Sequence, residues 1–363
     1  VIAGIVRVTD VRCHRHLEVG LGPGLTVLVG TNGAGKTSVL EAIHLALQGG
    51  TPRTAQIRDV ITWGEETLRV EVDITGDDGR LSTAAFGYSA TGERRVTADG
   101  APQANTTRWE EILPVRMFLP DDVRLVKGSP GRRRRFLDRM AVAAEPGYGG
   151  HLASYEEALG QRNALLRRGI VGGDHAPWEA LLARTGLEVV EGRARTLQSV
   201  SGPYAALHAE LAPAPDGRER QERPGLVYRT NVAGLSEFEY RERLAESRAA
   251  DRRRTFTHLG PHRDDLRFTL GGRDLRSYGS QGEQRTALLA LLLAERAWIS
   301  EREGRPPLLL LDDVMSELDE SRRRALVALL RGEGQAVVTT TDLHYFTSEE
   351  LATMTVIEIG GSV

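Results

Sequence analysis

Gly30-Thr31-Asn32-Gly33-Ala34-Gly35-Lys36-Thr37 matches the pattern G-x-x-x-x-G-K-[ST], and its neighbours decide what the match means. The run before it, Leu25-Thr26-Val27-Leu28-Val29, is apolar and short enough for a buried strand. After it, Val39, Leu40, Ile43, Ala46 and Leu47 recur at helical spacing, so a helix begins near Lys36. Strand, glycine-rich turn and helix together make a phosphate loop. Glycines let successive backbone N–H groups curl toward phosphate oxygens, and the helix start adds a favourable dipole. Lys36 is expected on the β/γ-phosphates and Thr37 on Mg²⁺. Gly30, Asn32, Gly33, Ala34, Gly35 and Ser38 complete the expected cradle for a nucleoside triphosphate.

Composition sets the outer bounds. The chain has 363 residues, 40 % hydrophobic and 27 % charged, enough for two domains with their own cores. A net charge of −3 neither requires nor excludes nucleic acid, because binding depends on local patches. With one cysteine, Cys13, no bilayer-length apolar run and no charged-then-apolar opening, the expectation is a cytoplasmic protein with no membrane partner. Nearly all basic residues are arginine, which reads as a coding bias. Yet one of the two lysines is Lys36, where a phosphate loop needs it.

Outward from the loop, Ile2 to Val11 and Leu17 to Leu21 read as strands. Alternation at Leu68, Val70, Val72 and Ile74, with turn signals around it, makes residues 65–105 a small antiparallel sheet. Pro114 to Leu119 is a further strand. Helical periodicity then covers Arg132 to Ala144, Leu152 to Arg168, Trp178 to Leu211 and Glu237 to Arg254. Breaks fall at 145–150, 169–176 and 213–224, the last rich enough in charge, Pro and Gly to be mobile. Strands return at Leu266, Phe268 and Leu270, at Leu308 to Leu311, at Ala336 to Thr341 and at Thr355 to Ile359. Helices run from about Gly282 to Glu303 and from Glu320 to Leu330. The predicted fold is α/β: a mostly parallel sheet with flanking helices plus a small antiparallel part. The head is built from residues 1–130 and 255–363, with a helical insertion at 131–254.

Two further stretches carry chemistry. Leu308 to Asp319, LLLLDDVMSELD, ends a buried strand in adjacent carboxylates, which repel unless a cation is near. Asp312 is expected to meet Mg²⁺ and Asp313 to take a proton from the attacking water. Tyr278-Gly279-Ser280-Gln281-Gly282-Glu283-Gln284 opens an apolar helix and forms a second anion-binding start, with Ser280, Gly282 and Gln284 as candidate contacts. One monomer needs one phosphate loop, so this second start suggests service to a nucleotide held by a partner.

GTNGAGKT, SQGEQ, LLLLDD and SELD resemble the Walker A, signature, Walker B and D-loop of ABC-type ATPases, and the split head resembles the SMC/Rad50 branch. SVLEAI, FLPDDVRLVKGSPGRRRRFLD and GPHRDDL narrow the resemblance to the RecF family of bacterial recombination mediators. It implies a short SMC-like arm and a homodimer, with each ATP between Lys36 of one copy and Ser280 of the other. It also implies nucleotide roles for Arg12 and Arg53, and binding at single-strand/double-strand junctions or gapped DNA. Slow, DNA-stimulated hydrolysis then releases the dimer, and RecO and RecR cooperate in loading RecA. Departures from the wider pattern are SQGEQ for the transporter signature and Asp313 where many relatives carry Glu. No switch histidine follows Val337 to Thr340, leaving Thr341 or Asp342. No sensor glutamine stands in FLPDD, leaving Asp121 or Asp122.

Arg132, Arg133, Arg134 and Arg135 are candidate DNA contacts, although four successive arginines point all around a helix. Arg252 to Arg254 and Arg322 to Arg324 raise the same question against solvated helix ends. His262 and Arg263 are polar turn residues without an assigned role. A transporter subunit leaves the insertion unexplained, a long tether would need sustained heptads, and a small-molecule kinase leaves SQGEQ without purpose.

Overall fold

The computed structural model describes residues 1–170, 173–213, 222–332 and 334–360. By contacts the chain divides into two compact units. One comprises residues 1–122, 210–217 and 295–363; the other comprises 123–209 and 218–294.

The first unit holds two sheets with the phosphate-loop helix between them. A five-stranded sheet runs in the order Thr355–Glu358, Leu25–Val29, Ala336–Thr340, Leu308–Leu311, Val115–Phe118, with every pair parallel. Continuous apolar strands such as LLLL suit a sheet covered on both faces. A six-stranded antiparallel sheet contains Ile2–Val11, His14–Gly20 and the four strands between residues 67 and 103. Helix Lys36–Gln48 is apolar on nearly every side: Val39, Leu40, Ala42, Ile43, Leu45, Ala46 and Leu47 are all buried. One core cluster accordingly joins Leu28, Leu310 and Val337 of the parallel sheet to Val8, Val70 and Phe86 of the antiparallel one.

The second unit is mainly helical. Pro130–Ala144, Tyr148–Arg167, Ala176–Leu211 and Glu237–Arg254 match the expected helices closely. Tyr148, Tyr155, Tyr240, Leu182, Val189 and Leu244 form the core among them. Within it, the fully buried Arg162 donates to Glu179, Asp251, Thr257 and the Leu244 carbonyl. Such a buried cation is tolerable because its donors are met by carboxylates and oxygens.

Two features depart from expectation. Strand Pro224–Arg229 was not legible; it pairs antiparallel with Asp265–Leu270, which turns through Gly271-Gly272 into Arg273–Asp274. Its residues are half-buried on both faces, so no alternation marks it. Residues 255–294, expected in the head, cluster with the helical unit, and of these Asp265–Leu270 and Arg273–Asp274 share the sheet with Pro224–Arg229. Of the breaks at 169–176 and 213–224, residues 171–172 and 214–221 lie outside the described residues, and with them the expected mobility of the latter. Among the described residues, no helix is long and apolar enough to cross a membrane.

Candidate nucleotide site

The phosphate loop is held open by conformations that only glycine adopts cheaply. Gly33 and Gly35 have φ of +85° and +94°, and a methyl on Gly35 would collide with the Cys13 sulfur and His14 imidazole. Gly30 donates its N–H to Thr340 O at 3.3 Å and lies against the Ile359 carbonyl, leaving no room for a side chain. Lys36 is buried, and its ammonium donates to Gly30 O at 2.6 Å and Thr31 O at 2.8 Å.

The carboxylates of the neighbouring strand meet this loop. Thr37 Oγ1 lies 2.8 and 3.0 Å from the two oxygens of Asp312, across 275 residues of sequence. Thr339 joins both acids: its hydroxyl donates to Asp312 Oδ1 at 2.8 Å and accepts the Asp313 N–H at 2.9 Å. Asp313 sits at φ +46°, and its Oδ1 is buried with no hydrogen-bond partner among the described residues. Burial pushes its pKa above the ordinary aspartate value; Ser316 pulls it down, the Asp312 charge adds to the rise, and Lys36 opposes it.

Arg12, Asn32, Gly33, Gly35, Lys36, Thr37, Ser38, Arg53, Asp312 and Asp313 line one cavity of about 360 Å³, together with Cys13, Pro120, Thr339 and Thr341. Of the expected cradle, only Gly30 and Ala34 do not line it. They shape the loop from behind, Ala34 packing against Gly360. A hydroxyl and a carboxylate in hydrogen-bond contact, beside a phosphate cradle, are the hard-oxygen set that Mg²⁺ takes while keeping its other ligands on phosphate and water. Thr37 and Asp312 fit that ion, and the unpartnered Asp313 Oδ1 fits a proton acceptor next to it. Sequence reasoning missed Thr339 and Glu41. Thr339 is one of three successive threonines with nothing local to single it out. Glu41, fully buried, is the one acid in an apolar helix, and that was a readable signal. Among the candidates for the missing switch and sensor groups, Thr341 lines the cavity whereas Asp342 bonds to His344. Asp122 accepts the Leu119 N–H, and Pro120, rather than either aspartate, faces the cavity.

The sequence model described as RecF/RecN/SMC N terminal domain matches residues 5–359. The DNA replication and repair protein RecF of Heliobacterium modesticaldum is 38 % identical over 95 % of this chain and 94 % of its own. This chain belongs to the RecF family. Two solved structures of the recombination mediator protein RecF in the RecFOR pathway, RecF–ATPrS and RecF–ATP, superpose with TM-scores of 0.80 and 0.78 at 27 % and 28 % identity. They cover 99 % and 94 % of this chain, and it covers 96 % and 92 % of theirs. The fold is thus the ABC-type ATPase head of this family, with its helical insertion.

The stretch from Tyr278 to Gln284, expected to act as a signature, lies in the second unit. Ser280 is exposed at the start of helix Gln281–Glu303 and forms a capping box with Glu283: Ser280 Oγ accepts the Glu283 N–H, and Glu283 Oε2 accepts the Ser280 N–H at 2.8 Å. Gly282 follows within the first turn. Gln284, expected on nucleotide, instead turns inward; its amide donates to Leu275 O at 2.7 Å and Gly279 O at 3.0 Å, so it braces the loop. The arginine run also divides. Arg133 is 2 % exposed, forks onto Asp265 and donates to the carbonyls of Leu125, Val126 and Gly128, and Arg134 donates to Asp264 O. This placement removes Arg133 from phosphate contact, because its guanidinium is saturated inside the protein. Arg132 and Arg135 remain exposed on the outer face.

GPHRDDL forms a polar hub of the same unit, with Pro261 and Asp264 buried, His262 half-buried and Arg263 exposed. Gly260 has φ +132°, and any side chain there would strike the hydroxyls of Tyr155 and Tyr240. His262 Nε2 donates to Thr257 O at 2.8 Å, so Nδ1 is the acceptor for the Tyr155 hydroxyl at 2.6 Å. Burial lowers its pKa to about 4 despite the Thr257 bond, with Arg263 and Arg134 adding to the fall. Asp264 accepts from Tyr228, and Arg193 spans Asp138 and the Pro261 carbonyl.

Proposed function

We propose that the chain is an ATP-gated DNA-binding protein of replication and recombinational repair, dimerising around two ATP and released by slow hydrolysis. The observation that carries this reading is the cluster in which Thr37, Asp312, Thr339 and Asp313 converge beside Lys36 at the mouth of the phosphate loop. Bound Mg²⁺, held by Thr37 and Asp312, would supply charge neutralisation on the phosphates. Lys36 and the loop N–H groups bind and orient the triphosphate. Asp313, with a raised pKa and an unpartnered oxygen, takes the proton from the attacking water.

Ser280 caps an exposed helix start and closes over the ATP of a second copy, which accounts for a second anion-binding start in one chain. Arg132 and Arg135 contribute sequence-independent, salt-sensitive phosphate contacts on junction or gapped DNA. RecO and RecR are the partner proteins that the family membership supports, with RecA loading as the outcome. Residues 131–254 act as the short SMC-like arm, and a reducing cytoplasm suits the lone Cys13.

The test is Ser280→Arg. Dimerisation with ATP, followed by sedimentation, should be abolished while ATP binding by the monomer stays near that of the wild type. A variant that dimerises with ATP as the wild type does would refute the shared nucleotide.

A further inference from the structure

Arg12 and Arg53 come to the nucleotide cavity from different segments and converge on one carboxylate, Glu41. Glu41 lies one helical turn beyond Thr37, with its side chain 0 % exposed. Arg12 forks onto it, Nε to Oε2 and Nη2 to Oε1, both at 2.8 Å. Arg53 Nη1 donates to Oε2 at 2.8 Å, and the Thr51 hydroxyl donates to Oε1 at 2.7 Å. Burial opposes charge on this acid, yet Arg12, Thr51 and Arg53 hold its pKa below the ordinary glutamate value. It is therefore ionised at neutral pH, and it separates two guanidiniums that would otherwise repel at a shared rim.

The two arginines are not consumed by this contact. A guanidinium has five N–H donors. Arg12 spends two on Glu41 and one on Asp59 O at 2.6 Å, and Arg53 spends one on Glu41. Their side chains stay 25 % and 37 % exposed and line the cavity. Arg12 is also fixed from its backbone: φ is +55°, and its N–H bonds to Val60 O at 2.8 Å. Thr37 turns to Asp312, whereas the Ser38 hydroxyl lies 3.9 Å from the sulfur of Cys13, the residue after Arg12. Both arginines and the paired carboxylates line the same cavity.

We infer that Glu41 is the positioning residue for nucleotide recognition, aiming Arg12 and Arg53 together at the nucleotide in the cavity they line. The inference rests on the ATP reading of the site. Two arginines on one buried carboxylate leave a net charge of one at the rim and a fixed array of donors, a pre-organised anion clamp.

The experiment is nucleotide binding by calorimetry with MgATP on the full chain. Glu41→Gln keeps the volume but removes the charge and one acceptor, and should weaken ATP by about tenfold or more. In an Arg12→Ala/Arg53→Ala background, the same Glu41→Gln change should cost nothing further in affinity. A purely structural Glu41 would lower thermal stability in both backgrounds and leave the affinity loss undiminished in the second, which overturns the inference. Should Glu41→Gln not fold, the cycle between Arg12→Ala and Arg53→Ala serves instead. Loss of either arginine leaves the other free to reorient on the carboxylate, so their effects should be non-additive, and additive losses would overturn it. If the wild type binds MgATP and Glu41→Gln binds it equally, this inference alone falls. If the wild type does not bind MgATP, the ATP reading falls with it.

Discussion

Asp313→Asn separates the chemical step from everything else the site does. Asparagine has the same shape, and among non-glycine residues it is one of the few that accept the left-handed backbone observed at φ +46°. The backbone N–H bond to Thr339 is kept, and removing a charge beside Asp312 relieves repulsion, so the fold should be as stable or slightly more so. Affinity for ATP should persist, since the phosphate loop, Lys36 and the Thr37–Asp312 pair are untouched. What disappears is the proton acceptor. General-base catalysis contributes about 10²–10⁴-fold, or roughly 3–5 kcal/mol of barrier, and kcat should fall by that factor. Because burial raises the Asp313 pKa, the wild-type rate should climb through an acid limb above the ordinary aspartate value of about 3.9, and the variant should lack that limb. Phosphate release measured in single turnover, with sedimentation in parallel, reads both effects, and the dimer should stay trapped on DNA. Turnover within about threefold of wild type would remove Asp313 from the base role. Asp313→Ala is the poorer variant, since alanine at this backbone angle adds about 1–2 kcal/mol of strain.

Other expectations can be checked together. Gly35→Ala should destabilise the first unit by about 1–3 kcal/mol in urea unfolding and abolish ATP binding, because φ +94° and the Cys13 and His14 side chains exclude a methyl. Arg132→Ala and Arg135→Ala should each weaken DNA binding uniformly across sequences and reduce the salt slope by about one, leaving thermal stability unchanged. Arg133→Ala should instead cost about 3–5 kcal/mol of stability by stranding Asp265; an equal loss of DNA affinity in all three variants with no loss of stability would refute the division of the run. The native state resists protonating His262 down to about pH 4, whereas the unfolded chain takes that proton near 6.5. The stability it carries is therefore whole above pH 6.5 and falls as the pH drops toward 4, by about 3 kcal/mol. Hydrogen exchange in the Tyr148–Arg167 helix should show that slope in the wild type and lose it in His262→Gln.

What the sequence by itself determined is whatever depends on spacing and backbone chemistry. GTNGAGKT between an apolar strand and a helical repeat, the alternation of Leu68 to Ile74, and LLLLDD need no distant partner to be read, because strand, helix and turn preferences act over a few residues. Two arginines in one run show where that legibility stops. Arg132 and Arg133 are neighbours of identical chemistry, but one faces solvent and the other is saturated by Asp265, 132 residues away. Gln284 was likewise assigned to nucleotide from its place in SQGEQ, and folding turned it onto the carbonyls of its own loop. Strand Pro224–Arg229 exists only because Asp265–Leu270 supplies its ladder. Glu41 and Thr339 gain meaning when Arg12, Arg53, Asp312 and Asp313 arrive beside them. Buried hydrogen bonds and ion pairs are settled by which groups the packed core brings within about 3 Å, and such long-range partners carry no local periodicity for a sequence to display.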